Sequence, residues 1–184
     1  MQKWLSLVFF MGLMGCSVTL PAGQVTLSPG VNWPLQVLTQ NNTFADTQVL
    51  VTGQFAQQSH QMLVTTEVNH NKFVMVGVSL QGVPLFELTQ SATGEISTKR
   101  YIPIPMKAEY VLADMQVIHL PLNDVQSQLV GARLVEEIEN GDRYRRIYHQ
   151  DTLVIEVRYT EQLIHFSHKT RGYQLSIKNL RQNS

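Results

Sequence analysis

The chain has 184 residues, with 14 basic side chains, 14 acidic ones and a single cysteine. At 43% hydrophobic and 15% charged residues it is globular in composition, long enough for one domain with a sizeable core and short for two. The neutral balance offers no electrostatic footprint for nucleic acid and no polybasic grip on anionic lipid, and one cysteine excludes an internal disulfide or a multi-cysteine zinc site.

Met1-Gln2-Lys3-Trp4 places one positive charge before the apolar run from Leu5 to Leu13. That run is well short of the roughly 20 residues of a permanent membrane helix, and it fits the hydrophobic region of a secretory leader. It ends in Leu13-Met14-Gly15-Cys16, which resembles the lipobox where bacterial lipoproteins are acylated and cleaved. The resemblance implies a lipoprotein signal peptide over residues 1–15 and lipidation of Cys16. At ~0.8 kcal/mol per buried methylene, two or three acyl chains anchor a protein firmly where one does not. By the same resemblance, Ser17 in place of Asp implies the periplasmic face of the outer membrane. An ordinary cleaved leader that happens to contain a cysteine is the alternative. Residues 16–38 hold Pro21, Gly23, Pro29, Gly30 and Pro34 with little periodicity, and read as a lipidated N-terminus and tether, its last part free to pack on the domain, before a β domain over residues 39–184.

Alternation of apolar and polar residues predicts strands over Thr47–Phe55 and Gln61–Val68, with Val49, Val51 and Phe55, then Met62, Val64, Thr66 and Val68, on one face. Lys72–Leu80 is almost wholly apolar, as in a strand covered on both faces. Pro84–Gln90 and Glu95–Tyr101 follow across Gln81-Gly82 and Thr93-Gly94 turns. Ile102-Pro103-Ile104-Pro105 cannot be a central strand. From about Lys107 to Leu120 the period changes: Val111, Leu112, Met115 and Ile118 share a helical face, with Glu109, Asp114 and Gln116 elsewhere. Pro121 interrupts it, and Asn123 is placed to cap a second short helix that closes near Gly131. Strands resume at Ala132–Glu139, then after the Asn140-Gly141 turn at Asp142–His149, followed by Thr152–Tyr159, Leu163–Lys169 and Tyr173–Ile177. In Thr152–Tyr159, Leu153, Ile155, Val157 and Tyr159 alternate with Val154, Glu156 and Arg158. The fold class is mainly β: a curved antiparallel sheet or incomplete barrel of about ten strands with a helical lid.

No catalytic constellation stands out, and no cofactor is expected; the chain does not read as an enzyme. His60, His70, His119, His149, His165 and His168 read as surface or loop residues, and His165 and His168, three apart in a strand, point to opposite faces. Glu136, Glu137 and Glu139 oppose Arg143, Arg145 and Arg146 across a hairpin as ordinary charge pairs, with an anion site as the functional alternative. Asp114 either faces solvent or is the buried partner of an arginine. The methionines and aromatics, Met106 among them, read first as core. A ten-stranded half-barrel, however, has a concave face too wide for two short helices to fill, and space lined by flexible, polarizable side chains suits a long apolar ligand. The candidate cavity and lid residues are Val49, Val51, Phe55, Met62, Val64, Phe73, Met75, Phe86, Tyr110, Val111, Met115 and Ile118.

The lipobox, the five-strand meander, the segment Gly77-Val-Ser-Leu-Gln-Gly-Val-Pro-Leu-Phe86 and the helix leading into Leu120-Pro121-Leu122 together resemble the LolA/LolB-type lipoprotein-localisation fold. More closely, with Arg143-Tyr144-Arg145-Arg146, Ile155-Glu156-Val157-Arg158-Tyr159 and Arg171-Gly172-Tyr173-Gln174-Leu175, the chain resembles a family of small bacterial lipoproteins of that fold, often encoded among aryl polyene biosynthesis genes. The resemblance covers roughly Val49 to Leu180. It implies an outer-membrane lipoprotein that binds or transfers a lipid-like molecule, an aryl polyene lipid or a lipoprotein acyl chain, in the periplasm. The competing expectation is an envelope assembly or structural lipoprotein that works through contacts with a protein partner.

Overall fold

A computed structural model describes residues 23–41, 46–55, 58–69, 72–102 and 107–180. Its principal element is one antiparallel sheet of ten strands. Five lie before the helices: β3 (Thr47–Phe55), β4 (Gln58–Asn69), β5 (Lys72–Val78), β6 (Pro84–Gln90) and β7 (Ile96–Arg100). Five follow: β8 (Arg133–Glu139), β9 (Asp142–His149), β10 (Thr152–Tyr159), β11 (Ile164–His168) and β12 (Tyr173–Asn179). An earlier pair, β1 (Gln24–Ser28) and β2 (Val31–Pro34), forms a separate hairpin.

The two runs of five join where β3 pairs with β12, so the sheet runs from edge β7 to edge β8 without closing into a barrel. The chain crosses from one edge to the other through α1 (Ala108–His119) and α2 (Leu122–Gln128). Local chemistry explains each turn along this path. Asn140 and Gly141 both take positive φ, 53° and 89°, which suits the twist of the β8–β9 hairpin.

Register puts the apolar residues on one face. Val51 lies opposite Met62 on one side and Ile177 on the other. Thr66, Met75 and Leu88 line up across three strands, and Val157, Phe166 and Leu175 across three more. The opposite, convex face carries Thr52, Gln61, Glu156, Arg158 and Ser176. Two expectations need adjusting here. In β5 only Phe73, Met75 and Gly77 are buried, while Val74, Val76 and Val78 are half-buried, so this strand is covered on one face. In β10 a bulge between Leu153 and Ile155 turns Val154 and Ile155 both inward, breaking the strict alternation.

The helices differ from expectation mainly in what covers them. In α1, Leu112 through Ile118 are all buried, including Asp114 and Gln116 from the face expected to stay polar. Helix α2 begins after Pro121 and ends at Gln128, with no side-chain cap at its start. Asn123 therefore lies inside the first turn rather than at the cap. Val130 leaves the helix to pair with Asn32.

The N-terminal segment requires the largest correction. Gly23 to Leu38, expected as tether, is packed into the core: Leu27, Val31 and Trp33 are almost fully buried. Trp33 Nε1 donates to Gln116 Oε1 at 2.9 Å, and Gln116 Nε2 donates to the Gln36 carbonyl at 2.7 Å. The Leu38 N–H donates to Gln90 Oε1 at 3.0 Å. The Asn32–Val130 bridge seats the hairpin so closely that a Cβ on Gly131 would lie 1.9 Å from the Gly30 carbonyl oxygen. Gly131 also has φ +78°, so glycine is required there twice over. Pro29 and Pro34, which read as tether, instead bound short strands. Residues 16–22 lie outside the described residues.

Candidate functional site

Between α1 and the concave face lies a cavity of about 70 Å³. Its walls include Val51, Met62, Val64, Met75, Phe86 and Leu88 from β3–β6, Leu175 and Ile177 from β12, and Val111, Met115 and Ile118 from α1. Thr98 and Arg100 bound it at edge β7. Gly77 makes room on the floor: the Phe86 ring lies against it, and a Cβ there would come within 2.3 Å of that ring.

The candidate residues distribute as follows. Val51, Met62, Val64, Met75, Phe86, Val111, Met115 and Ile118 line the cavity. Phe73 is fully buried but does not line it, and Val49 borders a different depression together with His119 and Leu163. Tyr110 is placed under the Arg171 guanidinium, 3.6 Å from its ring centre. The Phe55 side chain, Met106 and Cys16 fall outside what the structure describes. Leu88, Leu175 and Ile177 also line the cavity. Their alternation was readable in the sequence, but the pairing of β3 with β12 that brings Ile177 beside Val51 was not.

One acid enters this apolar space. Asp114 is buried, and Tyr173 Oη donates a hydrogen bond to its Oδ2. Its Oδ1 is buried without a hydrogen-bond partner among the described residues. Burial raises the carboxyl from 3.8 to about 7, against the opposing pull of the Tyr173 hydrogen bond and the Arg171 charge. The expected partnership with an arginine thus holds only at a distance. Arg171 donates through Nη2 to the Thr26 carbonyl at 2.6 Å, and its backbone N–H donates to His168 Nδ1 at 3.3 Å. His168 is fully buried beside Tyr173, and burial lowers its imidazole to about 4. Burial likewise lowers His119 to about 4.

These shifts predict a pH profile of stability. Asp114, raised in the fold, favours the folded state fully below about pH 4, and that contribution is lost as pH rises through 7. His119 and His168, depressed in the fold, favour it above about pH 6.5, and their contribution is lost as pH falls towards 4. Two histidines against one acid leave a net loss of stability on acidification across that window, on the order of 1 kcal/mol per pH unit. Asp114→Asn should remove the opposing contribution and roughly double the slope. Urea midpoints measured between pH 4.5 and 6.5 check this; equal slopes in the two proteins would show that Asp114 titrates normally.

The far end of α1 is held by different chemistry. Arg145 is buried and its Nη1 donates to the Val117 and Leu120 carbonyls at 2.7 and 2.9 Å, while its Nε donates to Glu136 at 2.9 Å. Tyr159 Oη donates to the Ile118 carbonyl at 2.6 Å. Arg143 pairs with Glu136 at 3.2 Å, and Arg146 with Glu137, Glu139 and Glu156. These contacts hold Glu136 and Glu139 below the usual carboxylate range despite some desolvation. Carboxylates and helix carbonyls meet Arg143, Arg145 and Arg146, in keeping with the charge-pair reading of this hairpin rather than the anion-site alternative. Nor is Arg145 an ordinary surface pair: it is the buried clamp on the C-terminal turn of α1.

His165 faces outward on the convex side, 3.2 Å from Ser176 Oγ, and His168 inward, as the three-residue spacing requires. His149 meets the Gly131 carbonyl at 2.7 Å. His70 lies outside the described residues. Among the described residues, no group of three His, Cys, Asp or Glu side chains is arranged to hold a metal ion, and no helix is long and apolar enough to cross a membrane.

The family model DUF3261, described as a protein of unknown function, matches residues 46–181. No curated protein matches the chain.

Proposed function

From the premise that this chain belongs to the DUF3261 family, whose description names no activity, we propose that it is an outer-membrane lipoprotein that binds or transfers a lipid-like apolar molecule in the periplasm. Cys16 is its lipid anchor, and an aryl polyene lipid or a lipoprotein acyl chain is the cargo that the LolA/LolB-type resemblance points to. The observation that carries the reading is the cavity between α1 and the sheet, walled by apolar side chains and three methionines. The free volume of about 70 Å³ is half that of an engineered cavity that takes up benzene, about 150 Å³, so a long chain enters only when the lid and the methionines move.

The two ends of α1 differ in a way that allows such movement. Arg145 and Tyr159 hold its C-terminal turn through three hydrogen bonds to carbonyls. The start of the helix has no side-chain cap. Opening is therefore a hinge about the Arg145 end, with the Asp114–Tyr173 and Tyr110–Arg171 contacts breaking first.

Full-length protein made in a bacterial host, extracted with organic solvent and analysed by mass spectrometry, should yield a stoichiometric long-chain apolar species. Met115→Lys, which puts a charge on the cavity wall, should lose it while circular dichroism remains that of the folded protein. Phe73, expected on the cavity wall, offers no such test, since its ring belongs to the core rather than to the wall. A clean extract from protein that also takes up no fluorescent acyl probe would sink the carrier reading. The small free volume favours one alternative, an envelope assembly protein whose cavity is filled by its own side chains and which acts through a protein partner.

A further inference from the structure

The cavity wall is mostly apolar, with Glu87, Thr98 and Arg100 toward edge β7, and the one acid that α1 brings to it has an oxygen without a hydrogen-bond partner among the described residues. Asp114 sits in the middle of α1, 2% exposed, with Oδ2 taken by Tyr173 and Oδ1 unpartnered among the described residues. A buried carboxyl oxygen without a hydrogen bond costs about 1–3 kcal/mol, and Asp is a poor helix former besides. Leucine or methionine at this position would avoid both costs, as Met115 and Ile118 do on the same wall. The cost becomes intelligible if the oxygen acquires a partner when the cavity fills.

Resting on the reading above, we infer that Asp114 Oδ1 is a polar recognition point of the cavity, and that the ligand is an amphiphile that presents a hydroxyl to it. A hydroxyl both donates and accepts, so it satisfies Oδ1 whether the carboxyl is ionised or protonated. A carboxylate only accepts, so it would leave an ionised Oδ1 without a donor. A plain hydrocarbon would leave Oδ1 as it is. The ligand class that satisfies Oδ1 in both states is therefore a long-chain alcohol or a hydroxyl-bearing glyceride or aryl lipid.

Photolabelling tests this on the full chain in phosphatidylcholine nanodiscs, with diazirine-bearing dodecanol, dodecanoate and dodecane as probes and peptide mapping as readout. The alcohol should label the strands and helix around Met62, Met75 and Met115 more strongly than either other probe. Asp114→Leu should reduce the alcohol's labelling about fivefold or more, the equivalent of one lost hydrogen bond, with the hydrocarbon's unchanged. Asp114→Asn, which keeps an acceptor and a donor at this point, should retain most of the alcohol's labelling and guards against misreading a folding defect. If the three probes label the cavity equally, or Asp114→Leu leaves the alcohol's advantage intact, the recognition role is overturned while a lipid-binding cavity stands. If no probe labels the cavity, the carrier reading itself falls.

Discussion

Replacing Trp33 with alanine should lower the stability of the folded chain by about 3–5 kcal/mol, the usual cost of deleting a fully buried aromatic ring. Trp33 is 0% exposed, and α1 and the β1–β2 hairpin share its burial. Trp33→Phe should cost only about 1 kcal/mol, because it removes the indole hydrogen bond to Gln116 and little of the packing. Gln116 keeps two bonds to the Gln36 backbone in either variant, so it is never left wholly unsatisfied. The contrast between the two substitutions separates burial from hydrogen bonding as the source of stability. Urea unfolding followed by circular dichroism gives both values. A Trp33→Ala cost below 1 kcal/mol would mean that the hairpin is not part of the cooperative unit, and residues 23–38 would revert to the tether that their composition predicted. This matters for function because the hairpin covers the polar side of α1. Any opening of the lid on the cavity side takes place with the helix still tied to β1–β2.

Arg145→Met should cost a comparable amount, about 3–5 kcal/mol, because it removes one partner from a buried, hydrogen-bonded charge set. Two different sources of that loss can be told apart. If the Glu136 ion pair dominates, adding Glu136→Met should restore most of the stability, as hydrophobic replacement of a buried pair often does. If the clamp on the Val117 and Leu120 carbonyls dominates, the double variant should stay as unstable as the single one. The geometry favours the second outcome. Glu136 retains Arg143 and some solvent, whereas the last turn of α1 relies on Arg145 and Tyr159 for its carbonyls. Equilibrium unfolding of the two variants beside the parent settles it. Full recovery in the double variant would remove Arg145 as the hinge about which α1 opens.

Much of the sheet could be read directly. Val49 and Val51, Met62 and Val64, and Phe166 and Leu175 declare their faces by a period of two, and Asn140-Gly141 declares its turn by the positive φ it needs. The helix could be read too, since Val111, Leu112, Met115 and Ile118 recur at its period. What escaped was tertiary in origin. Trp33 is an isolated aromatic among prolines and glycines, and nothing local says that it docks on Gln116, 83 residues away. Tyr173 pairs with Asp114 across 59 residues, so an acid in an apolar helix gave no sign of which group it faced. Arg145 resembled its neighbours Arg143 and Arg146 and shares a face of β9 with Arg143, yet of the three only Arg145 is buried, on the carbonyls at the end of α1.

By itself, then, the sequence determined the ten strands, their apolar faces and the position of the helical crossing, because periodicity and turn chemistry act between residues a few places apart. Only the tertiary structure decided that the N-terminal segment is core, that Arg145 is a clamp and that Asp114 reaches a cavity. Each of those depends on pairing β3 with β12 and on laying the hairpin over α1. Such long-range contacts are chosen by the total burial they achieve together, and no single stretch of chain carries that sum.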